Sequence, residues 1–595
     1  MKTMDTSNML SVLTGSSGEF TTRPVVMGTN GMVTSGHYLA STIGLRILED
    51  GGNAVDAGVA MGFALAVLEP YIYGIGGEVP ILLYMAEEGR VVSLSGQGPA
   101  PKGASIKWFK ENGFDAIRGD GLPATAVPDA VSTWISALTN FGTMTLGQVL
   151  EPSIELARSG FPMYSTLQSA IDRQAQWFRD SWPTSADAYL QGDSVPSVGE
   201  VYFQEDLAGM FIKLVDAESR AKKSGREGAL RAARDLFYRG EIAERIVKFV
   251  QENDLPDTAG NRHSGFLSME DLQEYETRIE EPVTTNYRGY DVYKCGPWCQ
   301  GPVFLQQLNI LEGYDLASMG HNSPEYIHLL AETAKLAFAD RERYYGDPDF
   351  VDVPLDILLS KEYAQERRKL IDLDKASMEL RPGNAPAENP EEKQGDPRVF
   401  KGDTTHLDAV DRWGNMISAT PSGGWFASSP VVEGLGFPLG SRMQMFFLDP
   451  DHANALAPGK RPRTTLTPSL AMRDGKPFMV FGTPGGDQQD QWTLQFFLNC
   501  VDFDMNMQAA VDAPTFHSSH FPASFYPHTA QPGRLNLESR IPESTIQALQ
   551  EKGHDAQVAG EWSHGRVLGI RYNPETGVMF GVSTARLETG YAIGW

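Results

Sequence analysis

The 595-residue chain carries 50 Lys and Arg against 76 Asp and Glu, which gives a formal net charge of −26. This acidity argues against a broad basic surface of the kind that nucleic acids and anionic membranes require. Hydrophobic residues make up 41% and charged residues 21% of the sequence. These proportions are typical of a globular protein whose large core needs neither disulfides nor a metal for stability.

The three cysteines, Cys295, Cys299 and Cys500, include no CxxC pair. An odd and sparse set is no disulfide framework and favours a reducing compartment. Residues 1–25 lack the apolar core of a signal peptide. The apolar stretch Val59 to Leu68 is shorter than the roughly 20 residues of a membrane span. We therefore expect a cytoplasmic protein with no nucleic-acid or membrane partner.

Two helices are predicted in the first patterned segment. Apolar residues recur every four positions from Leu39 to Ile47, which indicates a helix that ends at the glycine pair 51–52. Asn53 then caps a second helix, Ala54 to Leu68, whose residues are almost all apolar or small. A helix that is apolar on every side is expected in the core.

The middle of the chain, residues 125–371, is predicted to be mostly helical, with one strand at Tyr290–Tyr293. Composition changes between Ser377 and Asp403, where four prolines and many charges predict a flexible, exposed linker. Residues 404–420 then form two short predicted strands around a turn. An accessible segment thus ends at a hydroxyl residue, Thr404, that opens a β-hairpin.

Cleavage of the Asp403–Thr404 bond would give Thr404 both a hydroxyl and a free α-amine. The amine has a pKa of about 7.7–8.0, so a good fraction is neutral at pH 7 and accepts the hydroxyl proton. Nucleophile and base then belong to one residue. We therefore interpret Asp403–Thr404 as a cleavage site and Thr404 as a candidate nucleophile.

Two later segments suit the same chemistry. Gly485 and Gly486 lie between a predicted strand, 478–481, and a predicted helix, 489–498, where exposed backbone N–H groups would form an oxyanion hole. The segment 460–465 (KRPRTT) places Arg463, Thr464 and Thr465 close together in an acidic chain. Such a group would bind a carboxylate. His517 and His520 lack a third ligand at useful spacing, so we expect no metal and no cofactor.

Several sequence blocks, in order, resemble the γ-glutamyltranspeptidase family of N-terminal nucleophile hydrolases. The blocks are GGNAVDA at 51–57, FGTM at 141–144, AFADR at 337–341, GDPDF at 346–350, DTTH at 403–406, DRWGN at 411–415, LTPS at 466–469 and PGG at 484–486.

The resemblance implies an α+β fold, specifically a four-layer αββα sandwich. It also implies self-cleavage into a large subunit, 1–403, and a small subunit, 404–595, which together form one intertwined domain. The product would be a heterodimer of the two subunits, and a dimer of such heterodimers is the alternative assembly. By matching motifs, Thr404 is the nucleophile, Ser422 is the hydroxyl residue that bonds it, and Gly485 and Gly486 form the oxyanion hole.

The chain departs from the family where the γ-glutamyl head group is bound. Gln97 stands where the family has the arginine for the substrate carboxylate, and Gln444 stands where it has an acid for the ammonium. The family asparagine becomes Gly424, and two pocket serines become Thr464 and Thr465. Because an amide offers no charge-assisted grip, we predict an amide hydrolase that is not selective for γ-glutamyl groups.

Apolar residues at 425–426, 443 and 445–446 indicate an acyl pocket suited to apolar groups, as in acylase-like branches of the family. Either Arg442 or Arg463 would still bind a small carboxylate. Two alternatives stay open: a true γ-glutamyltransferase or glutathione hydrolase, and an uncleaved, inactive scaffold or binding protein. The small-molecule amide substrate and its leaving amine are not fixed by the sequence.

Overall fold

The computed structural model describes residues 20–192, 194–384 and 403–595. The described residues combine helices with sheets that are antiparallel except for the strand pair Arg534–Glu538 and Asp555–Ala559. The strands are β1 Val26–Gly28, β2 Gly31–Ser35, β3 Ile81–Met85, β4 Arg90–Leu94, β5 Phe161–Pro162, β6 Val201–Tyr202, β7 Ile279–Glu280, β8 Val283–Tyr287, β9 Tyr290–Lys294, β10 Leu407–Asp411, β11 Met416–Ala419, β12 Ser469–Arg473, β13 Lys476–Gly482, β14 Phe516–Ser518, β15 Arg534–Glu538, β16 Asp555–Ala559, β17 Leu568–Asn573, β18 Val578–Ser583 and β19 Tyr591–Gly594.

The α-helices span Tyr38–Glu49, Ala54–Leu68, Ile106–Glu111, Ala130–Phe141, Leu146–Ser159, Ser165–Ser181, Pro183–Tyr189, Glu205–Arg220, Gly225–Tyr238, Glu241–Glu252, Met269–Glu274, Pro302–Leu311, Leu316–Met319, Pro324–Tyr344, Leu355–Leu358, Lys361–Arg368, Gln489–Val501, Met507–Asp512 and Glu543–Glu551. In the described parts of the chain, we find no helix with both the length and the apolar character needed to cross a bilayer.

Two seven-stranded sheets dominate the fold. The first sheet has the order β1-β18-β17-β13-β12-β9-β8, and the second has the order β19-β2-β10-β11-β3-β4-β7. Neighbouring strands are antiparallel throughout both sheets. Strands that precede residue 403 therefore pair directly with strands that follow it, in both sheets.

The two sheets share one apolar cluster. Met32 and Val410 of the second sheet meet Val480 and Ile570 of the first sheet, and all four side chains are fully buried. Since side chains alternate between the faces of a strand, the other face of each sheet is free to pack against helices. Each sheet therefore has one face toward the other sheet and one toward helices.

The helix-covered faces form two further apolar clusters. Leu83 and Ile417 of the second sheet pack with the helix Ala54–Leu68. Phe481 of the first sheet packs with residues of the helices Pro302–Leu311 and Gln489–Val501. Every residue of Ala54–Leu68 is buried, and Asn53 caps its first turn together with Asp56, which confirms the predicted core helix.

The predicted hairpin after the cleavage site is present, but its first strand begins at Leu407 and not at Thr404. Thr404 instead forms an isolated antiparallel bridge with Ser422, and the Thr405 N–H donates to the carbonyl of Pro421 over 3.0 Å. Three residues thus lie between the predicted cleavage site and the sheet. Thr404 and Thr405 are held by backbone bonds to the segment that follows β11.

The predicted linker begins with residues that contact the helix Pro324–Tyr344. The N–H of Gly383 donates to Asp340 over 2.7 Å, and Arg381 donates to Glu332 over 3.2 Å. Both carboxylates are buried, and buried carboxylates need donors. Residues 377–384 therefore differ from the exposed segment predicted for them, whereas residues 385–402 lie outside the described residues.

Candidate active site

The two hydroxyl residues predicted from the sequence lie together. Thr404 Oγ1 and Ser422 Oγ are 3.2 Å apart, and both residues are buried, with 1% and 0% of their surfaces exposed. Their backbones form the isolated bridge described above. A hydrogen bond in a buried environment fixes the orientation of both hydroxyls.

Ser422 also contacts the peptide bond that cleavage would break. Its hydroxyl donates to the carbonyl oxygen of Asp403 over 2.9 Å. That carbonyl belongs to the Asp403–Thr404 peptide, so the Thr404 hydroxyl and a donor to the carbonyl oxygen converge on one bond. A donor at this place stabilises the negative charge that develops on oxygen when a nucleophile adds to the carbonyl carbon.

The side chain of Asp403 is held at the same point. Its Oδ1 accepts from the N–H of Thr404 over 2.9 Å, and its Oδ2 forms an ion pair with Arg566. Arg566 lies just before β17, in the predicted small subunit. The ion pair therefore anchors the residue before the predicted cleavage site to the sheet that follows it.

A glycine loop positions Ser422. The N–H of Glu78 donates to the Ser422 carbonyl over 2.9 Å, and the Ser422 N–H donates to the Glu78 carbonyl over 3.0 Å. A Cβ on Gly77 would lie 2.2 Å from the Ser422 carbonyl oxygen, and one on Gly424 would lie 2.6 Å from the Gly77 nitrogen. Only glycine allows this approach of two backbones, so both positions require glycine.

Beside Ser422 lies a buried ion pair between Glu78 and Arg442. The arginine is fully buried and Glu78 is 3% exposed. Burial raises the pKa of Glu78 to about 7, although Arg442 opposes this shift. Arg442 also donates from Nη2 to Ser422 Oγ. Its guanidinium lies 5.1 Å from the ring centroid of Trp425 and 5.4 Å from that of Phe525.

A second buried carboxylate, Glu69, lies beside Thr405, the residue that follows the predicted nucleophile. Burial raises the pKa of Glu69 to about 7, and the Thr405 hydroxyl opposes this shift. A Cβ on Gly36 would lie 2.4 Å from Thr405 Oγ1 and 2.8 Å from Glu69 Oε2. The glycine therefore leaves room for the two side chains to meet next to Thr404.

The strand after Thr404 is supported by a buried histidine. His406 Nδ1 is 3.0 Å from Thr420 Oγ1, and its Nε2 is 3.0 Å from Asp408 Oδ1. Burial raises the pKa of Asp408, against the influence of His406. A Cβ on Gly482 would lie 2.2 Å from His406 Cε1, so β13 packs directly on this ring. The strand that follows Thr404 is therefore held rigidly in the sheet.

Gly485 and Gly486 lie between β13 and the helix Gln489–Val501, as predicted. Both have positive φ, +130° and +57°. A Cβ on Gly485 would lie 2.3 Å from the Trp492 ring, and one on Gly486 would lie 3.2 Å from Phe525. Because Phe525 also contacts Arg442, a continuous set of contacts joins the glycine pair to Ser422. Their role as an oxyanion hole stays a prediction.

The predicted pocket glutamines are both buried, and their amides bond the backbone. Gln97 Nε2 donates to the Gly98 carbonyl over 3.1 Å, and Gln444 Nε2 donates to the Gly119 carbonyl over 3.4 Å. Gln97 lines a cavity of about 520 Å³ whose lining includes neither Thr404 nor Ser422. Contact of these glutamines with a substrate stays a prediction.

Arg463 is bound within the protein. Its Nη2 donates to Glu342 over 2.7 Å and its Nη1 donates to the Arg341 carbonyl over 2.9 Å. Burial lowers the pKa of Arg463 to about 10. Burial alone would raise the pKa of Glu342, but Arg463 and Arg341 hold it below its usual range. The neighbouring Thr464 and Thr465 are fully buried.

One group of side chains elsewhere has the composition of a metal site. His328, Glu332 and His554 place ligand-type atoms within 4.8 Å of one another. His328 Nδ1 and His554 Nε2 bond each other over 2.8 Å, while Glu332 accepts from Lys335 and Arg381. Two cations already compensate this carboxylate, which disfavours an additional cation there.

Contacts join the two hydroxyl residues Thr404 and Ser422 to the glycine pair through Arg442 and Phe525. The gamma-glutamyltranspeptidase family model matches residues 40–594. The chain belongs to the gamma-glutamyltranspeptidase family.

Known relatives include hydrolases and acylases. A glutathione hydrolase proenzyme of Pseudomonas sp. (strain A14) is 34% identical over 512 residues, which cover 83% of this chain and 82% of the relative. The structure of LmbA2991HD has a TM-score of 0.92 at 44% identity, covering 97% of this chain and 100% of that one. The cephalosporin acylase from Bacillus halodurans has a TM-score of 0.83 at 32% identity, covering 98% of each chain.

These matches confirm the predicted family and enzyme class, a hydrolase or acyltransferase of amide bonds in the gamma-glutamyltranspeptidase family. They also agree with the mixed α and β architecture predicted from the sequence. The relatives include enzymes named for different substrates, a glutathione hydrolase and a cephalosporin acylase.

Several residues at the site were missed by the sequence analysis. Glu78 follows two glycines and precedes a buried strand, so a charged residue in an apolar loop was an available signal. Glu69 ends an apolar helix in the same way. Arg566 gave no signal, because it lies 163 residues from its partner Asp403.

Proposed function

We propose that the protein is an autoprocessing amide hydrolase in which Thr404 is the nucleophile. The two sheets, with helices on their outer faces, support the four-layer αββα sandwich expected for this class. Cleavage at Asp403–Thr404 would give a heterodimer of residues 1–403 and 404–595. The relatives named as proenzymes support such processing.

The observation that carries this proposal is the convergence on one peptide bond. Thr404 Oγ1 lies 3.2 Å from Ser422 Oγ, and Ser422 Oγ lies 2.9 Å from the Asp403 carbonyl oxygen. A nucleophile next to a carbonyl whose oxygen already accepts a hydrogen bond is the arrangement that favours acyl transfer.

After cleavage, Thr404 would act on amide substrates through the same hydroxyl. Its neutral α-amine would take the hydroxyl proton as oxygen attacks the substrate carbonyl, and the amide nitrogen would leave as an amine. Water would then hydrolyse the acyl ester and restore the hydroxyl. The N–H groups of Gly485 and Gly486 are proposed to stabilise the oxyanion in both steps.

We further propose that the enzyme is not selective for γ-glutamyl groups. Gln97 donates to the carbonyl of the next residue, Gly98, and carries no charge. The two arginines that the sequence offered for a substrate carboxylate are paired with Glu342 and Glu78. An arginine that already binds a buried carboxylate has less to gain from a second one.

Processing is tested on a denaturing gel. The wild-type protein should give two bands in place of one of 65.2 kDa, with a new N-terminus that reads TTHLD. Thr404→Ala should stay intact and inactive, whereas Thr404→Ser, which keeps a hydroxyl, should cleave. A single band with amide hydrolysis still present would refute the nucleophile assignment, and a single band without hydrolysis would support the inactive scaffold.

Selectivity is tested with p-nitroanilides. We expect the kcat/KM for neutral or dicarboxylic acyl anilides to exceed that for γ-glutamyl-p-nitroanilide. Addition of a dipeptide acceptor should not raise the rate. Efficient turnover of the γ-glutamyl substrate, accelerated by acceptor, would instead identify a true γ-glutamyltransferase.

A further inference from the structure

We propose that Arg442 and Glu78 are positioning residues for self-cleavage, in which Arg442 polarises the Ser422 hydroxyl that donates to the Asp403 carbonyl and Glu78 holds Arg442 in place. This inference rests on the proposed self-cleavage. It goes beyond it, because it assigns a function to an ion pair that touches neither the nucleophile nor the bond to be broken.

The hydrogen bonds of Ser422 form a directed chain. Arg442 Nη2 can only donate, so Ser422 Oγ accepts from it. Ser422 Oγ in turn donates its single proton to the Asp403 carbonyl oxygen over 2.9 Å. A serine hydroxyl has one donor and two acceptor positions, which leaves one acceptor position for the Thr404 hydroxyl at 3.2 Å.

The charge of Arg442 strengthens this chain. A hydroxyl that accepts from a cation becomes a better donor, because chains of hydrogen bonds polarise one another. Both Arg442 and Ser422 are fully buried, so water does not screen the effect. The positive charge of the Arg442 guanidinium therefore acts on the Asp403 carbonyl through Ser422, without direct contact.

Arg442 is held in one orientation from several sides. Its Nε donates to Glu78, and its guanidinium faces the rings of Trp425 and Phe525. Its Nη1 faces only the Met445 sulfur at 4.0 Å among the described partners. Since a buried cation without a counter-charge is strongly unfavourable, Glu78 is required for Arg442 to remain next to Ser422.

Self-cleavage forms one bond and breaks another at the Asp403 carbonyl carbon. Thr404 Oγ1 bonds to the Asp403 carbonyl carbon, and the carbonyl electron pair moves to oxygen, which accepts from Ser422. The carbon–nitrogen bond then breaks, and the Thr404 nitrogen gains the hydroxyl proton and becomes an amine. Water hydrolyses the resulting ester, giving the Asp403 carboxylate and the Thr404 hydroxyl. Arg442 acts on the oxyanion of the first addition, through Ser422.

The test is the rate of self-cleavage of purified precursor, followed on denaturing gels. Arg442→Ala should slow cleavage by about 10- to 100-fold, the range for a lost bond to a charged group. Added guanidinium ion at millimolar concentration should restore much of the rate, because it fills the vacated space. Arg442→Lys should be intermediate, since it keeps the charge but not the fork of donors.

Matched variants separate positioning from folding. In Arg226→Ala, which removes an arginine bonded to three backbone carbonyls elsewhere, cleavage should not respond to guanidinium. Ser422→Ala should be slow and not rescued, because the donor itself is missing. If Arg442→Ala does not fold, the double variant E78Q/R442M removes both buried charges and keeps the volume, and it should fold and cleave slowly.

Wild-type cleavage rates in folded Arg442→Ala or in E78Q/R442M would overturn the inference. Slow cleavage that guanidinium leaves unchanged in folded Arg442→Ala would also overturn it. Failure of the proposed function looks different: the wild-type protein itself would not cleave, or Thr404→Ala would. The two failures are therefore distinguishable on the same gels.

Discussion

Replacement of Ser422 by alanine tests the central geometry most directly. Ser422 is the residue that contacts both partners of the proposed reaction, over 3.2 Å to the Thr404 hydroxyl and 2.9 Å to the Asp403 carbonyl oxygen. The substitution removes a single oxygen atom from a fully buried position, and it leaves the backbone bridge to Thr404 in place. We expect it to affect the reaction more than the fold.

The magnitude follows from the bond that is lost. Loss of one donor to an oxyanion costs about 100- to 1,000-fold in rate, or roughly 2.7–4 kcal/mol. Arg442 also loses an acceptor in a buried site, which costs about 1–3 kcal/mol of folding stability. We therefore expect self-cleavage slowed by two to three orders of magnitude and a lowered Tm.

The assay is a time course of purified precursor on denaturing gels, beside a thermal melt of the same sample. Ser422→Thr is the matched control, because it keeps the hydroxyl, and it should cleave at nearly the wild-type rate. Wild-type cleavage by Ser422→Ala would refute the reasoning. So would a loss in Ser422→Thr equal to that in Ser422→Ala, since the hydroxyl would then be irrelevant.

Three further predictions concern the surroundings of the nucleophile. Arg566→Gln and Asp403→Asn should each slow cleavage, and the double variant should be no slower than either, because one ion pair is lost in each case; additive losses on gels would contradict this. Glu69→Gln should stabilise the uncleaved precursor by about 3 kcal/mol above pH 7 and by nothing below pH 4, because the folded protein binds a proton that the unfolded chain has lost between these values. Equal melts at both pH values would be the contrary result. Gly77→Ala should lower Tm and slow cleavage together, because its Cβ would lie 2.2 Å from the Ser422 carbonyl oxygen; normal cleavage would show that the loop adapts.

Much of the site could be predicted because its chemistry is local in sequence. The hydroxyl at Thr404 follows a change of composition and precedes two short predicted strands, whereas Ser422, 18 residues further on, was identified from the family resemblance. The core helix Ala54–Leu68 could also be predicted, because apolar or small residues occur on every side of it. These features need no knowledge of distant contacts.

The electrostatic partners could not be predicted in the same way. Glu78 and Arg442 are separated by 364 positions, and nothing near either residue indicates the other. Arg442 and Arg463 were indistinguishable in the sequence as candidate carboxylate ligands. Only the fold shows that Arg463 contacts Glu342 while Arg442 reaches Ser422.

The interleaving of strands in the two sheets has a consequence for the processed protein. In the first sheet, the neighbouring strands β18, β17, β13 and β12 follow the cleavage site, and β1, β9 and β8 flank them from before it. In the second sheet, β2 is inserted between β19 and β10. Pulling the two polypeptides apart would break strand pairs in both sheets and expose their edges. Cleavage would thus free the amino group of Thr404 but leave the two polypeptides paired in both sheets. Dissociation of residues 1–403 from residues 404–595 would require both sheets to unfold.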